Sequence, residues 1–164
     1  MPRLVRLRPC CSFLRVTLPF IYTMRVRFRD TDMQGHVYFA NYFVFCDEAL
    51  GAYMRAIGVP WQEMVKGGTD MYYVNASCDY SGSARFEEDV YIETHISKVG
   101  RTSFTSTFVI RDSQEETLVN ATVTSVCVDP STREKVRVPD AFRDAVAAFE
   151  EARSDGSTLA SSGQ

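Results

Sequence analysis

No apolar run in this sequence approaches the roughly 20 uninterrupted residues an α-helix needs to cross a bilayer. Positive charge is not in excess either. Against 18 Lys and Arg stand 21 Asp and Glu, a formal net charge of −3, so there is no global basic field to hold a nucleic-acid backbone. Cysteine is sparse and scattered: Cys46, Cys78 and Cys127 occur singly, and Cys10 and Cys11 are neighbours. Neither a disulfide framework nor the paired C-x-x-C or Cys/His spacing of a zinc site can be built from them. Each of the three isolated cysteines sits in an apolar context, where a thiol behaves as a small hydrophobe. A reducing cytoplasm is the expected compartment. Internal repeats are absent, and 45% apolar with 24% charged residues is not the composition of a disordered, collagen-like or coiled-coil chain.

What is present suits one domain. A chain of 164 residues with 11 Phe and 8 Tyr can bury a sizeable core but leaves no room for two. Charge divides this chain unevenly. Residues 1–23 hold Arg3, Arg6, Arg8 and Arg15 and no acid, so the other 14 of the 18 basic residues and all 21 acidic ones follow them. A secretory signal is disfavoured because Arg15 interrupts the apolar stretch. An organelle transit peptide is disfavoured because Ser12 is the only serine. The expectation is an extension (1–23) outside the fold, a working domain over 24–153, and a Ser/Gly-rich disordered tail over 154–164.

Periodicity outlines the elements. Val26 and Phe28 alternate with Arg25, Arg27 and Arg29, which predicts a strand with one wet face. A polar turn follows at Asp30–Gly35. Tyr42, Phe45, Cys46, Ala49, Leu50, Tyr53, Met54 and Ile57 recur at three and four residues, predicting a helix over 41–57 ended by Gly58 and Pro60. Phe43, Val44 and Ala52 make that helix greasy on most faces, so it belongs inside something. Strands are predicted over 71–80, 89–99, 101–111 and 117–128, then a short amphipathic helix over 141–152 with Pro139 at its start. One helix followed by long antiparallel strands reads as α+β, a single curled sheet wrapped around a central helix in the hotdog arrangement.

Asp30, Asp32, Gln34, His36 and Asn41 crowd the junction between first strand and helix. The spacing resembles the opening of a calcium loop, but Asn41 stands where a bidentate Glu is required. Asp30-Thr31-Asp32 also resembles the aspartate pair of phosphatases, yet those follow a buried apolar strand and not one alternating with arginines. A metal held by Asp30, Asp32 and His36 lacks further ligands nearby. Two readings stay open. Either aspartate can satisfy backbone N–H groups in the turn and cap the helix. Alternatively, a carboxylate beside a helix start, with its unpaired N–H donors and positive dipole end, is equipped to attack a carbonyl and hold the oxyanion that develops.

The stretch Arg29-Asp30-Thr31-Asp32-Met33-Gln34-Gly35-His36-Val37-Tyr38-Phe39-Ala40-Asn41-Tyr42, followed by Phe45 and Glu48-Ala49, resembles the signature of the 4-hydroxybenzoyl-CoA thioesterase family of hotdog proteins. Val59-Pro60-Trp61 and Gly100-Arg101-Thr102-Ser103-Phe104 also resemble family features. The resemblance implies hydrolysis of an acyl-CoA thioester, with Asp32 as nucleophile or general base and the Phe39 backbone N–H polarising the carbonyl. His36, in place of the aliphatic residue of relatives, would orient Asp32 or water. Tyr42, Asp47 and Trp61 would border the acyl pocket, and Lys98 and Arg101 would meet the CoA phosphates. No cofactor or metal is implied, since CoA arrives with the substrate. The implied partners are an acyl-CoA or acyl carrier protein thioester and further copies of the chain, in a dimer or tetramer whose sites form between subunits. A non-catalytic module that binds acyl thioesters is the alternative from a different class.

Overall fold

The structure, a computed structural model, describes residues 19–154. The expectations for residues 1–18 and for the tail beyond Ser154 fall outside the described residues. In chain order the elements are β1 (Phe20–Arg25), α1 (Asn41–Ala56), α2 (Trp61–Lys66), β2 (Asp70–Tyr80), β3 (Asp89–Val99), β4 (Ser103–Arg111), β5 (Thr117–Val128) and α3 (Asp140–Ser154), with a 3₁₀ turn at Phe28–Asp30. The strands make one sheet, ordered β1-β3-β4-β5-β2, and every neighbouring pair is antiparallel. The expected α+β sheet curled around one helix is what forms.

Side-chain alternation explains the sheet's two faces. In β3, Val90, Ile92, Thr94 and Ile96 are buried while Tyr91, Glu93 and His95 are half-buried. The α1 stripe Tyr42, Phe45, Cys46, Ala49, Leu50, Tyr53 and Met54 is buried throughout, in one core with Ile92, Phe104, Phe108 and Ile110 of the sheet. Each such side chain contributes about 1.5–3 kcal/mol on burial, so the helix is held by packing more than by propensity. Gly58 ends it at φ +76°, its N–H donating to the Arg55 carbonyl, a left-handed conformation that costs a residue without Cβ little. Register shifts between Tyr73 and Asn75 and between Ile96 and Lys98 insert bulges, which sharpen the twist and bend the sheet toward α1.

The start of the fold departs from expectation. The first strand is Phe20–Arg25, paired with β3 from Phe20↔Thr94 to Arg25↔Asp89, so the domain begins before Met24. Phe20 is the reason: its ring meets Tyr53 at 5.5 Å and Phe149 at 6.2 Å, both edge-on. Val26–Phe28 is not a regular strand, because the Asp30 Oδ2 accepts the Arg27 N–H at 2.8 Å and tightens the chain into the 3₁₀ turn. Three smaller differences concern element limits. The fourth predicted strand starts at Ser103, α2 is an additional helix, and Pro139 immediately precedes α3. The Tyr53 hydroxyl donates to Glu150 Oε1 at 2.6 Å and Phe142 packs on Phe104 at 4.8 Å, together docking α3 on the core.

Candidate active site

The segment between β1 and α1 folds back on itself. Thr31 and Val37 pair as an antiparallel bridge, the Asp32 N–H donates to the His36 carbonyl at 2.9 Å, and Gly35, at φ +76°, donates its N–H to the Asp32 carbonyl at 3.0 Å. Only glycine takes that φ without strain. The far arm is tied to the chain ahead of β3: Val37 N–H donates to the Ala84 carbonyl at 2.9 Å, and His36 bridges to Arg85. Ala84 is held in turn by Tyr42, whose buried hydroxyl accepts the Ala84 N–H at 2.9 Å.

The two aspartates divide the work anticipated for either. Asp30 is buried, its Oδ2 taken by the Arg27 N–H, and its carbonyl accepts the Tyr38 N–H and the Asn41 side-chain amide, both at 2.9 Å. That clamps the loop to the start of α1. Asp32 is half-buried; its Oδ1 accepts the Gln34 N–H at 2.8 Å, and no hydrogen bond among the described residues engages Oδ2. Asp30, Asp32 and His36 form no metal-ligand cluster, and no other three His, Cys, Asp or Glu among the described residues do.

Phe39 lies on the other arm, at the entry to α1. Its N–H donates to no backbone carbonyl among the described residues. The peptide that carries it is nonetheless fixed, because the Tyr38 carbonyl on the same planar unit accepts the Asn41 N–H at 2.8 Å. On the following peptide the Phe39 carbonyl accepts the Tyr80 hydroxyl at 3.0 Å. The first turn of α1 carries no acidic side chain to occupy its donors. A half-buried carboxylate and an oriented, free N–H thus share one rigid turn.

A cleft of about 270 Å³ lies along α1, lined by Phe43, Val44, Asp47 and Leu50 on the helix and by Tyr73, Ala76, Phe108 and Val123 on the sheet; Asp32, His36 and Phe39 are not among its walls. The Tyr73 hydroxyl donates to Asp47 Oδ1 across it. Burial, then the bond to Asp47 and its charge, raise the Tyr73 phenol above its ordinary range, so it remains a donor. A smaller cleft of about 190 Å³ lies further along, with Asp47, Arg55, Trp61 and Tyr73 among its walls. The Trp61 indole N–H donates to Asp70 at 3.0 Å.

Of the expected site residues, Asp32, His36 and Phe39 lie in the turn and Asp47 and Trp61 on the clefts. One expectation is corrected. Tyr42 does not border the cleft; it is fully buried, with its ring against Phe45 and Tyr80 and its hydroxyl occupied by Ala84. Lys98 and Arg101 lie at the far end of β3 from Arg85, which bridges to His36. Tyr80 and Tyr73 make contacts that the sequence does not announce. They lie 41 and 26 residues from their partners Phe39 and Asp47, and no local spacing signals such pairs.

Residues 26–146 match the thioesterase-like superfamily. The chain is 30% identical over 124 residues to the 1,4-dihydroxy-2-naphthoyl-CoA hydrolase of Nostoc punctiforme, covering 75% of this chain and 83% of that one. It is likewise 30% identical over 114 residues to the acyl-CoA thioester hydrolase YbgC of Escherichia coli O157:H7, covering 70% and 85%. A solved structure of a protein from Aquifex aeolicus superposes with a TM-score of 0.74 at 26% identity, covering 78% of this chain and 99% of that one.

Proposed function

Since the chain belongs to the thioesterase-like superfamily, we propose that it hydrolyses acyl-CoA thioesters to the free acid and CoA, with Asp32 as the reacting carboxylate. The observation that carries this reading is the rigid turn that holds the Asp32 carboxylate and the unoccupied Phe39 N–H at the entry to α1. A thioester carbonyl lying between them would have its oxygen polarised by the Phe39 N–H and the positive end of α1. Asp32 then either adds to the carbonyl carbon, expelling CoA thiolate and leaving an anhydride that water cleaves, or takes a proton from the water that adds. Thiolate is a good leaving group, so this sparse machinery needs no strong acid. No cofactor takes part beyond the CoA that the substrate carries. His36, opposite Asp32 in the turn, orients the carboxylate or the water.

The acyl group occupies the cleft beside α1. Its volume, just below the roughly 300 Å³ at which drug-sized sites begin, favours a ring or short chain over a long one. The edge strand β2 supports self-association. This edge strand exposes Tyr72 and Val74 beside an unpaired backbone edge, and a second copy would cover both. In such a dimer Lys98 and Arg101 meet the CoA phosphates at the partner's site. Of the described helices none is long and apolar enough to cross a membrane, and the three free cysteines Cys46, Cys78 and Cys127 suit the reducing cytoplasm.

The test is release of free thiol from a panel of short, long and aromatic acyl-CoAs, alongside the same acyl groups on acyl carrier protein. Turnover of CoA esters supports the proposal. Activity confined to carrier-protein esters would shift the substrate class. Tight binding of acyl-CoA by folded protein with no turnover of either would make this a binding module.

A further inference from the structure

Arg143 stands where a helix least favours it. It is the fourth residue of α3, in the turn that carries the positive end of the helix dipole. The side chain is half-buried, yet among the described residues no carboxylate forms an ion pair with it. A guanidinium drawn out of water needs acceptors in place of the solvent it loses. Residues that break local rules in this way are offset by a gain elsewhere.

The gain lies in the hairpin between β3 and β4. Its tip, residues 100–102, is closed by the Gly100 N–H, which donates to the Ser103 carbonyl at 2.7 Å. The Gly100 and Arg101 carbonyls both accept Arg143 Nη2, the latter at 3.2 Å. Nε of the same planar group donates to the Val138 carbonyl at 3.3 Å. The Val138 N–H in turn donates to the Arg101 carbonyl at 2.9 Å. One rigid fork thus ties the hairpin tip to α3 and to the chain just ahead of it. Because Phe142 packs on Phe104, α3 is itself fixed to the core, and the hairpin shares that rigidity. Lys98 and Arg101 extend from this hairpin, and both are exposed. The Arg143 charge, left uncancelled by any carboxylate, adds to the positive potential around them.

We infer that Arg143 is a positioning residue for substrate binding: by bracing the Gly100 and Arg101 carbonyls it holds the Arg101 side chain ready for the phosphates of CoA. Its fork is spent on backbone carbonyls, so it acts through Arg101 and touches no phosphate itself. A long cationic side chain on an unbraced hairpin has to be ordered at the moment of binding, which costs affinity. The brace removes part of that cost in advance. The inference rests on the thioesterase reading for the substrate, and on the three carbonyl bonds for the role of Arg143.

The test compares the best acyl-CoA of the panel with the pantetheine thioester of the same acyl group, which lacks the nucleotide and its phosphates. Wild type, Arg143→Gln, Arg101→Ala and the double variant are assayed by thiol release, and Kd for CoA is measured by calorimetry. Arg143→Gln should raise KM for the CoA ester and Kd for CoA by about threefold to tenfold, with kcat and the KM of the pantetheine ester little changed. In the Arg101→Ala background the same substitution should add less than about twofold, because the group being positioned has gone. A merely structural role would lower Tm and leave Kd for CoA and the ratio of the two KM values intact. That result overturns the inference. So does a full effect of Arg143→Gln in the Arg101→Ala background, which would make Arg143 a direct contact. Equal KM for the two esters in wild type overturns it as well, and leaves the thioesterase standing. Should no ester turn over, the thioesterase reading falls and Kd for CoA decides alone. A rise confined to proteins that retain Arg101 upholds the inference; an unchanged Kd, or no binding by wild type, overturns it. If Arg143→Gln does not fold, Arg143→Lys, which keeps the charge without the planar fork, carries the same comparison.

Discussion

Replacing Tyr42 by Phe isolates the brace that links the helix core to the active-site turn. The ring and its contacts with Phe45 and Tyr80 stay, and only the hydroxyl goes. That hydroxyl accepts the Ala84 N–H at 2.9 Å, and both residues are buried at 1% exposure, so no water can replace it. Leaving a buried N–H unsatisfied costs about 1–3 kcal/mol. In a domain of this size 1 kcal/mol moves Tm by roughly 4 °C, which makes the expected loss about 4–12 °C by calorimetry. The effect should not stop at stability. Ala84 also accepts the Val37 N–H and so anchors the arm that carries His36 and Phe39. Turnover by folded Tyr42→Phe should therefore fall severalfold with little change in KM. Tyr38→Phe, at an exposed ring, is the control and should match wild type in both. If Tyr42→Phe melts within about 1 °C of wild type, the Tyr42–Ala84 bond does not brace the loop and the reasoning fails.

Three further perturbations separate local effects. Tyr80→Phe removes the hydroxyl that donates to the Phe39 carbonyl at an exposed position, so kcat in the thiol-release assay should drop severalfold while Tm stays within about 1–2 °C. Tyr53→Phe loses the 2.6 Å bond to the Glu150 carboxylate and should lower unfolding free energy in urea by about 1.5–3 kcal/mol with kcat unchanged, since the pair docks α3 away from the turn. Burial raises the Cys46 and Cys127 thiols, Cys127 to about 11. In a protein with Cys10 and Cys11 replaced by Ser, maleimide at neutral pH should therefore label half-buried Cys78 first, as read by peptide mass spectrometry.

How much of this was legible in the sequence depended on the range of the cause. The α1 stripe and the limits of β3 and β5 follow from local periods of 3.6 and 2, and the structure reproduces them closely. The start of β1 was hidden, because what holds Phe20 is Tyr53 and Phe149, 33 and 129 residues away in sequence. Six residues of α2 are too few to display a helical period. Within the site, the turn announced itself through the crowding of Asp30, Asp32, Gln34, His36 and Asn41, and Asp30 proved to be its clamp. Tyr42 shows the limit of a stripe. Its spacing marks it as inward-facing without saying whether inward means cleft or core.

The central claim, that the Asp32 carboxylate performs the chemistry, is tested most directly by Asp32→Asn. The side chain keeps its size, and the amide oxygen can still accept the Gln34 N–H, so the turn should persist while the reacting carboxylate is lost. The account predicts that kcat for the best acyl-CoA falls by about 10²–10⁴, the usual worth of a positioned acid–base group, with Kd for the same ester within about threefold of wild type. Undiminished turnover in a folded Asp32→Asn protein would contradict it and send the search to another carboxylate.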